Sequence, residues 1–144
     1  MNNNTHSVKL DEIEKKWYII DAADKPLGRV ATEVARLVRG KHKPTFSTHI
    51  DCGDYVIVLN TDKLAFTGNK LDKKIYRSHS GYIGGMKEVT CKDMMSKDSG
   101  KVLLLAVKGM LPKNSLGRQM LRKVKTYKGS EHDNMAQKPE IWNF

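Results

Sequence analysis

The residues best placed to do chemistry in this chain are cations. Lys108 to Asn134 reads KGMLPKNSLGRQMLRKVKTYKGSEHDN, and from Lys101 through Lys128 there are eight Lys or Arg and no Asp or Glu. Charges of one sign in such a run repel one another. Against a dense array of phosphates they are neutralised, and the condensed counterions of the polyanion are released. A basic surface helix without a partner is the plainer alternative. Two further groups repeat the pattern. Arg36, Arg39, Lys41 and Lys43 follow one another with no intervening acid, and Lys70, Lys73, Lys74 and Arg77 cluster with only Asp72 opposing them. Lys113, Arg118, Arg122, Lys123, Lys125 and Lys128 complete the set. Arginine suits bidentate contact with phosphate, whereas lysine acts as a mobile point charge. Tyr76, Tyr82 and Tyr127 lie among these charges and could stack on unpaired bases. For Tyr76 and Tyr127, a partly buried place in the fold explains the residue equally well.

Other chemistries find little support. Gly81-Tyr82-Ile83-Gly84-Gly85 is glycine-rich but carries neither the dinucleotide nor the P-loop pattern; glycines here suit close backbone approach to RNA or to a packed neighbour. None of the five histidines, His6, His42, His49, His79 and His132, pairs with Cys, Asp or Glu at zinc-ligand spacing. His42, His79 and His132 sit in basic or glycine-rich loops that suit hydrogen bonding to RNA. The two cysteines, Cys52 and Cys91, stand in unrelated contexts and read as reduced thiols. No nucleophile elbow and no paired carboxylates suggest catalysis.

Several elements must hold these residues. Trp17 to Asp21 (WYIID) suits a buried strand. Pro26 opens a helix in which Leu27, Val30, Ala31, Val34, Leu37 and Val38 recur at helical spacing, and Gly40 ends it. Tyr55 to Leu59 (YVIVL) is apolar on both faces, as a central strand of a parallel sheet requires. Strand, helix and strand make a βαβ unit. The long connection 41–54 is basic and is expected to be functional. Weaker strands are expected at Leu64–Thr67 and Lys74–Ser78, around a polar turn at Gly68–Lys70. A helix over Cys91 to Lys97, started by Thr90, is expected to stop at Ser99–Gly100. Leu103, Ala106, Val107, Met110 and Leu111 favour helix over strand for the segment that follows. Leu116 to Lys123 reads as a short basic helix and Val124–Tyr127 as a last strand. Leu-Gly-Arg occurs twice, at Leu27–Arg29 and Leu116–Arg118, each time at a helix start where an Arg could meet a phosphate beside exposed helix N–H groups.

The whole chain, 144 residues with a net charge of +10, fits one domain facing a polyanion, and nucleic acid is the commonest such partner. A membrane surface would need an amphipathic helix with bulky apolar anchors, and none stands out. No apolar run approaches the ~18–20 residues of a membrane span. The start, MNNNTHSVKLDEIEKK, has no secretory h-region, and its acids argue against a transit peptide. The expected organisation is a flexible or partner-ordered arm over 1–16, an α/β RNA-binding domain over 17–128 and a polar tail over 129–144. Without a helix-turn-helix, zinc finger or basic zipper, charge spread over several loops fits an irregular folded RNA better than DNA.

One set of motifs goes further. Trp17-Tyr18-Ile19-Ile20-Asp21-Ala22, Pro26-Leu27-Gly28-Arg29, Arg39-Gly40-Lys41-His42-Lys43, Gly53-Asp54-Tyr55 and Thr67-Gly68-Asn69-Lys70 follow one another in order. His79-Ser80-Gly81 with Gly84-Gly85, then Val107-Lys108-Gly109-Met110-Leu111-Pro112, Leu116-Gly117-Arg118 and finally Gly129 to His132 continue the series. On these blocks the chain resembles the universal large-subunit ribosomal protein number thirteen, of bacterial type, from about Trp17 to Pro139. It departs from the usual pattern at Asn114-Ser115, where Gly-Pro is common, and at Asp133-Asn134-Met135, which replaces a more His-rich run. The resemblance implies a three-layer α/β/α single domain around a mostly parallel sheet, with polar extensions at both ends. It also implies binding to large-subunit ribosomal RNA, a role in early subunit assembly and translation in the cytoplasm, contact with neighbouring large-subunit ribosomal proteins, no cofactor and no catalysis. An obligate homo-oligomer is not expected.

The candidate RNA-contacting residues are then Arg29, Arg36, Arg39, Lys41, His42 and Lys43 from the first helix and its loop. Lys70, Lys73, Lys74, Arg77, His79, Gly84 and Gly85 come from the middle of the chain. Lys108, Gly109, Lys113, Arg118, Arg122, Lys123, Lys125, Lys128 and His132 come from its last third. A free messenger-RNA regulator and a small nucleotide-using α/β enzyme are the alternatives. The first would be found outside the ribosome, and the second would bind a mononucleotide saturably.

Overall fold

A computed structural model of the protein describes residues 8–144. The first seven residues of the expected N-terminal arm lie outside the described residues. Strand β1 (Trp17–Asp21) runs into helix α1 (Leu27–Arg39), which returns to β2 (Tyr55–Leu59). A short helix α2 (Lys70–Lys73) precedes an antiparallel hairpin of β3 (Ile75–His79) and β4 (Met86–Thr90). Helices α3 (Cys91–Met110) and α4 (Ser115–Arg122), then β5 (Val124–Thr126) and β6 (Glu140–Ile141), complete the chain. The main sheet has the order β5-β2-β1-β6, and all its pairings are parallel. The chain is thus a single α/β domain around a mostly parallel sheet.

The expected βαβ unit forms for the reason its pattern suggested. Parallel neighbours need a long crossover, and α1 supplies it by burying Leu27, Val30, Ala31, Val34, Leu37 and Val38. These residues join Tyr18 and Ile20 of β1, Val56 and Val58 of β2, and Val124 of β5 in one core with Val102, Leu103 and Val107 of α3. Ile57, which points to the other face, is also fully buried, so β2 is covered on both sides at its centre. Gly40 ends α1 at φ +83°, and the Cys52 backbone lies where a side chain would begin, 2.9 Å from an ideal Cβ. That close approach folds the long loop back onto the helix end.

Several expectations need correction. Leu64–Thr67 is not a strand: its one bridge joins Ala65 to Pro26, and the supposed turn that follows winds into α2. The two helices expected on either side of Ser99–Gly100 are present within α3: they meet at Asp98, whose backbone is extended (φ −153°, ψ 92°) and whose carboxylate accepts from Lys101 N–H at 3.1 Å, capping the second. Gly100 is buried at the kink, where a Cβ would lie 2.4 Å from Thr126 Oγ1. Two strands carried no signal strong enough to be read. Strand β4 is mostly exposed. Strand β6, in the polar tail, pairs Glu140 with Tyr18 and Ile141 with Ile19. Its pairing brings Trp142 edge-on to Tyr18 at 5.2 Å.

Candidate nucleic-acid interface

Three basic groups surround the sheet, and the fold treats their members differently. At the end of α1, Lys41 is exposed and Arg36 is exposed beside Glu33 at 3.5 Å. Arg39 is half-buried, with its guanidinium over the Phe46 ring at 5.6 Å. Both arginines lie in the last turn of α1, where the helix dipole favours positive charge. Lys43 turns inward, its Nζ donating to Asp54 Oδ1 at 2.6 Å, Cys52 O at 3.1 Å and Glu14 O at 2.7 Å. His42 Nε2 lies 2.9 Å from Asp54 Oδ2. Burial pushes the His42 midpoint below its ordinary value, outweighing the attraction of an Asp54 carboxylate that Lys43 already engages.

Of the charged residues expected to contact RNA, Lys123 is the most deeply buried. It is 5 % exposed, and its Nζ donates to Asp51 Oδ1 at 2.6 Å, Gly53 O at 2.9 Å and Val38 O at 3.1 Å. All three donors of the ammonium group are spent inside the protein, and desolvation by burial lowers its pKa. Lys123 and Lys43 therefore brace the 41–54 loop against the sheet, and His42 packs beside them. The ammonium groups of both lysines and His42 Nε2 are engaged inside the protein. Sequence spacing could not show this, because Asp51 is 72 residues from Lys123.

The middle group surrounds α2 and the hairpin. Lys70, Lys73 and Lys74 are exposed, with Lys74 Nζ 5.0 Å from the Tyr76 ring centroid. With Pro26, Leu27, Gly28, Phe66, Ala106 and Met110 these lysines line a hollow of about 820 Å³ at the start of α1. Arg29 is exposed in the same first turn. Arg77 is paired with Glu88 at 2.7 Å. His79 Nδ1 accepts from Gly81 N–H at 2.9 Å and so fixes the turn, while Gly84 is exposed at φ +72°. Gly85 has no room for a side chain, since a Cβ would lie 2.1 Å from Ser80 Oγ.

The last group is the most open. Lys108, Gly109, Lys113 and Arg118 border a second hollow of about 450 Å³, whose apolar wall is Leu105, Leu111, Pro112 and Leu121. This is the Val-Lys-Gly-Met-Leu-Pro segment with the Leu-Gly-Arg that follows it. Asn114 caps α4, its Oδ1 accepting from Gly117 N–H at 2.8 Å. Gly117 is packed on Pro112, whose carbonyl oxygen would lie 1.9 Å from a Cβ. The cap thus takes up one of the helix N–H groups that the Leu-Gly-Arg echo had suggested for phosphate, and the Arg118 side chain remains exposed. Arg122 and Lys125 are exposed too, Lys128 Nζ donates to Lys97 O at 3.0 Å, and half-buried His132 accepts from Asn134 N–H at 3.2 Å. The two hollows flank the end of α3: Ala106 and Met110 line one, Leu105, Lys108 and Gly109 the other. The end of α3 therefore lies between the middle and the last groups.

Among the described residues no group of three or more His, Cys, Asp or Glu could hold a metal ion. No helix among them is long and apolar enough to cross a membrane. Sequence reasoning singled out Tyr82 but not Ile83 and Met86, the other exposed apolar side chains near the hairpin tip, because β4 was not recognised as the partner of β3.

Fold and surface together define an α/β domain that presents cations from the helices, loops and hairpin around a parallel sheet. The family profile described as "Ribosomal protein L13" matches residues 15–133. The large ribosomal subunit protein uL13 of Lachnospira eligens is 56% identical over 140 residues, covering 97% of this chain and 99% of that one. Its counterpart in Ruminiclostridium cellulolyticum is 57% identical over 137 residues, 95% of each chain. That of Geobacillus kaustophilus is 56% identical over 140 residues, 97% of each. The chain belongs to the ribosomal protein L13 family, whose members are ribosomal structural proteins rather than enzymes.

Proposed function

We propose that this protein is a structural constituent of the large ribosomal subunit that binds large-subunit ribosomal RNA and supports early subunit assembly and translation in the cytoplasm. The observation that carries the reading is the basic front at the end of α3 and along α4. There Lys108 in the last turn of α3, Lys113 in the loop that follows, and Arg118 and Arg122 on the short, capped helix α4 are all exposed. The sheet and its internal lysines supply rigidity; the outward cations supply neutralisation where RNA helices must pack against each other. Arg29, Arg36, Arg39, Lys41, Lys70, Lys73, Lys74, Lys125 and Lys128 supply further cations around the domain. Neighbouring large-subunit proteins meet the faces that RNA leaves open. Residues 17–128 form the RNA-binding domain, and 1–16 and 129–144 are its extensions.

The test is the salt dependence of binding to deproteinised bacterial large-subunit ribosomal RNA. Replacing Arg118→Glu and Arg122→Glu together is expected to weaken binding and to lower the slope of log affinity against log salt by about 1 for each phosphate no longer neutralised. Unchanged affinity and slope in the double variant would contradict the assignment.

A further inference from the structure

The hairpin of β3 and β4 ends in apolar side chains that the rest of the chain leaves uncovered. Ile83 is 107 % exposed, Tyr82 79 % and Met86 58 %. The turn that presents them is tightly built. Gly85 N–H donates to Tyr82 O at 2.9 Å, Ser80 N–H donates to Gly85 O at 3.1 Å, and Gly81 N–H donates to His79 Nδ1 at 2.9 Å. Gly81 and Gly84 take φ of +92° and +72°, which a side chain would strain. A flexible loop could fold a tyrosine and an isoleucine back onto the domain. This one holds them outward at the end of a five-pair antiparallel ladder.

The charges around the tip select its partner. Lys73 and Lys74 stand exposed at the base of the hairpin and Lys87 on its side, while the acid on the strands, Glu88, is occupied by Arg77. An apolar point with one cation beside it and others at its base complements nucleic acid whose bases are accessible between phosphates. Aromatic rings stack on such bases whatever their identity, and branched aliphatic side chains wedge into opened base steps.

We propose that the hairpin tip is a base-stacking probe. Tyr82 stacks on an unpaired base of large-subunit ribosomal RNA, Ile83 fills the gap beside it, and Lys87, one pair below the tip, meets a neighbouring phosphate, while Lys73 and Lys74 at the hairpin base meet phosphates further along the RNA. This inference rests on the RNA-binding reading above and adds to it an interaction that is not electrostatic. Stacking leaves counterions in place, so its removal weakens binding without changing the salt slope.

The experiment compares Tyr82→Ala with Ile83→Ser, as a double variant, against Arg118→Glu with Arg122→Glu. The probe is deproteinised bacterial large-subunit ribosomal RNA over a series of KCl concentrations. Both tip side chains are exposed, and unchanged circular dichroism and melting would verify the fold. The tip variant is expected to bind ~10–100-fold more weakly at every salt concentration, with the wild-type slope. Tyr82→Phe, with Ile83 retained, should keep most of the affinity because it keeps the ring. Unchanged RNA affinity in the tip variant, with the arginine variant still impaired, would overturn the probe and leave the RNA reading standing. Unchanged affinity in both would sink both. Wild-type affinity for RNA alone but poor retention on intact subunits would assign the tip to a protein neighbour, which also overturns the proposal.

Discussion

Asp54 shows how one carboxylate decides what the residues around it do. It is fully buried, with Lys43 at 2.6 Å on one oxygen, His42 at 2.9 Å on the other and Lys16 N–H donating at 2.8 Å. Asp51 does the same for Lys123. Nothing in the run Arg39-Gly40-Lys41-His42-Lys43 distinguishes the outward Lys41 from the inward Lys43. Residue type was legible there, but direction depends on acids that only the completed fold brings near. Lys123→Ala would take the nearest cation from Asp51, which keeps Lys15 at 3.6 Å, and the ammonium donor from two buried backbone carbonyls, so we expect a loss of about 3 kcal/mol in urea unfolding. Lys41→Ala should change stability by less than about 0.5 kcal/mol. His42 adds a pH dependence. Its folded-state midpoint lies below the ordinary 6.5, so the unfolded chain takes up the proton first as the solution is acidified. The stability that neutral His42 contributes is present above pH 6.5 and is lost as the pH falls below that value. Between pH 7.5 and 5.5 the wild-type protein should lose more stability than His42→Gln. An equal loss in the two would show that His42 is not the titrating group.

Elements were readable where burial imposed a period. Strand β1, helix α1, strand β2 and helix α4 each bury a row of apolar residues at the spacing their geometry demands. Strand β4 (MKEVT) is held by its register with β3, and β6, a two-residue strand on the edge of β1, by a partner more than a hundred residues earlier. Neither has enough apolar alternation of its own to announce a strand. Leu64–Thr67 has the reverse problem, a strand-like composition with only one bridging partner. The start of α4 was legible as a helix, but its capping chemistry was not. Asn114, at one of the positions where the chain departs from the family's usual pattern, supplies that cap, its Oδ1 accepting from Gly117 N–H. Asn114→Ala should cost about 1 kcal/mol, measured by urea unfolding. It should also reduce RNA affinity if the cap holds Lys113 and Arg118 in register. Loss of stability without loss of affinity would confine the cap to a structural role.

At the scale of the whole molecule, the net charge of +10 is divided between two tasks. A few cations, Lys43 and Lys123 foremost, are consumed in fastening a long loop to the sheet. Others, along α2, the hairpin, the end of α3 and α4, face outward. The partner class was legible from total charge and from the absence of acids over 101–128, because electrostatic attraction to a polyanion sums over the surface. The partition was not, because it depends on which carboxylates the fold buries. A protein organised in this way should be an integral part of its particle, held at many points at once. The most direct test is sedimentation of a cell lysate through a sucrose gradient before and after a high-salt wash, with the protein quantified by mass spectrometry. The account predicts stoichiometric co-migration with the large ribosomal subunit that survives the wash. Finding the protein mainly in the soluble fraction would contradict it.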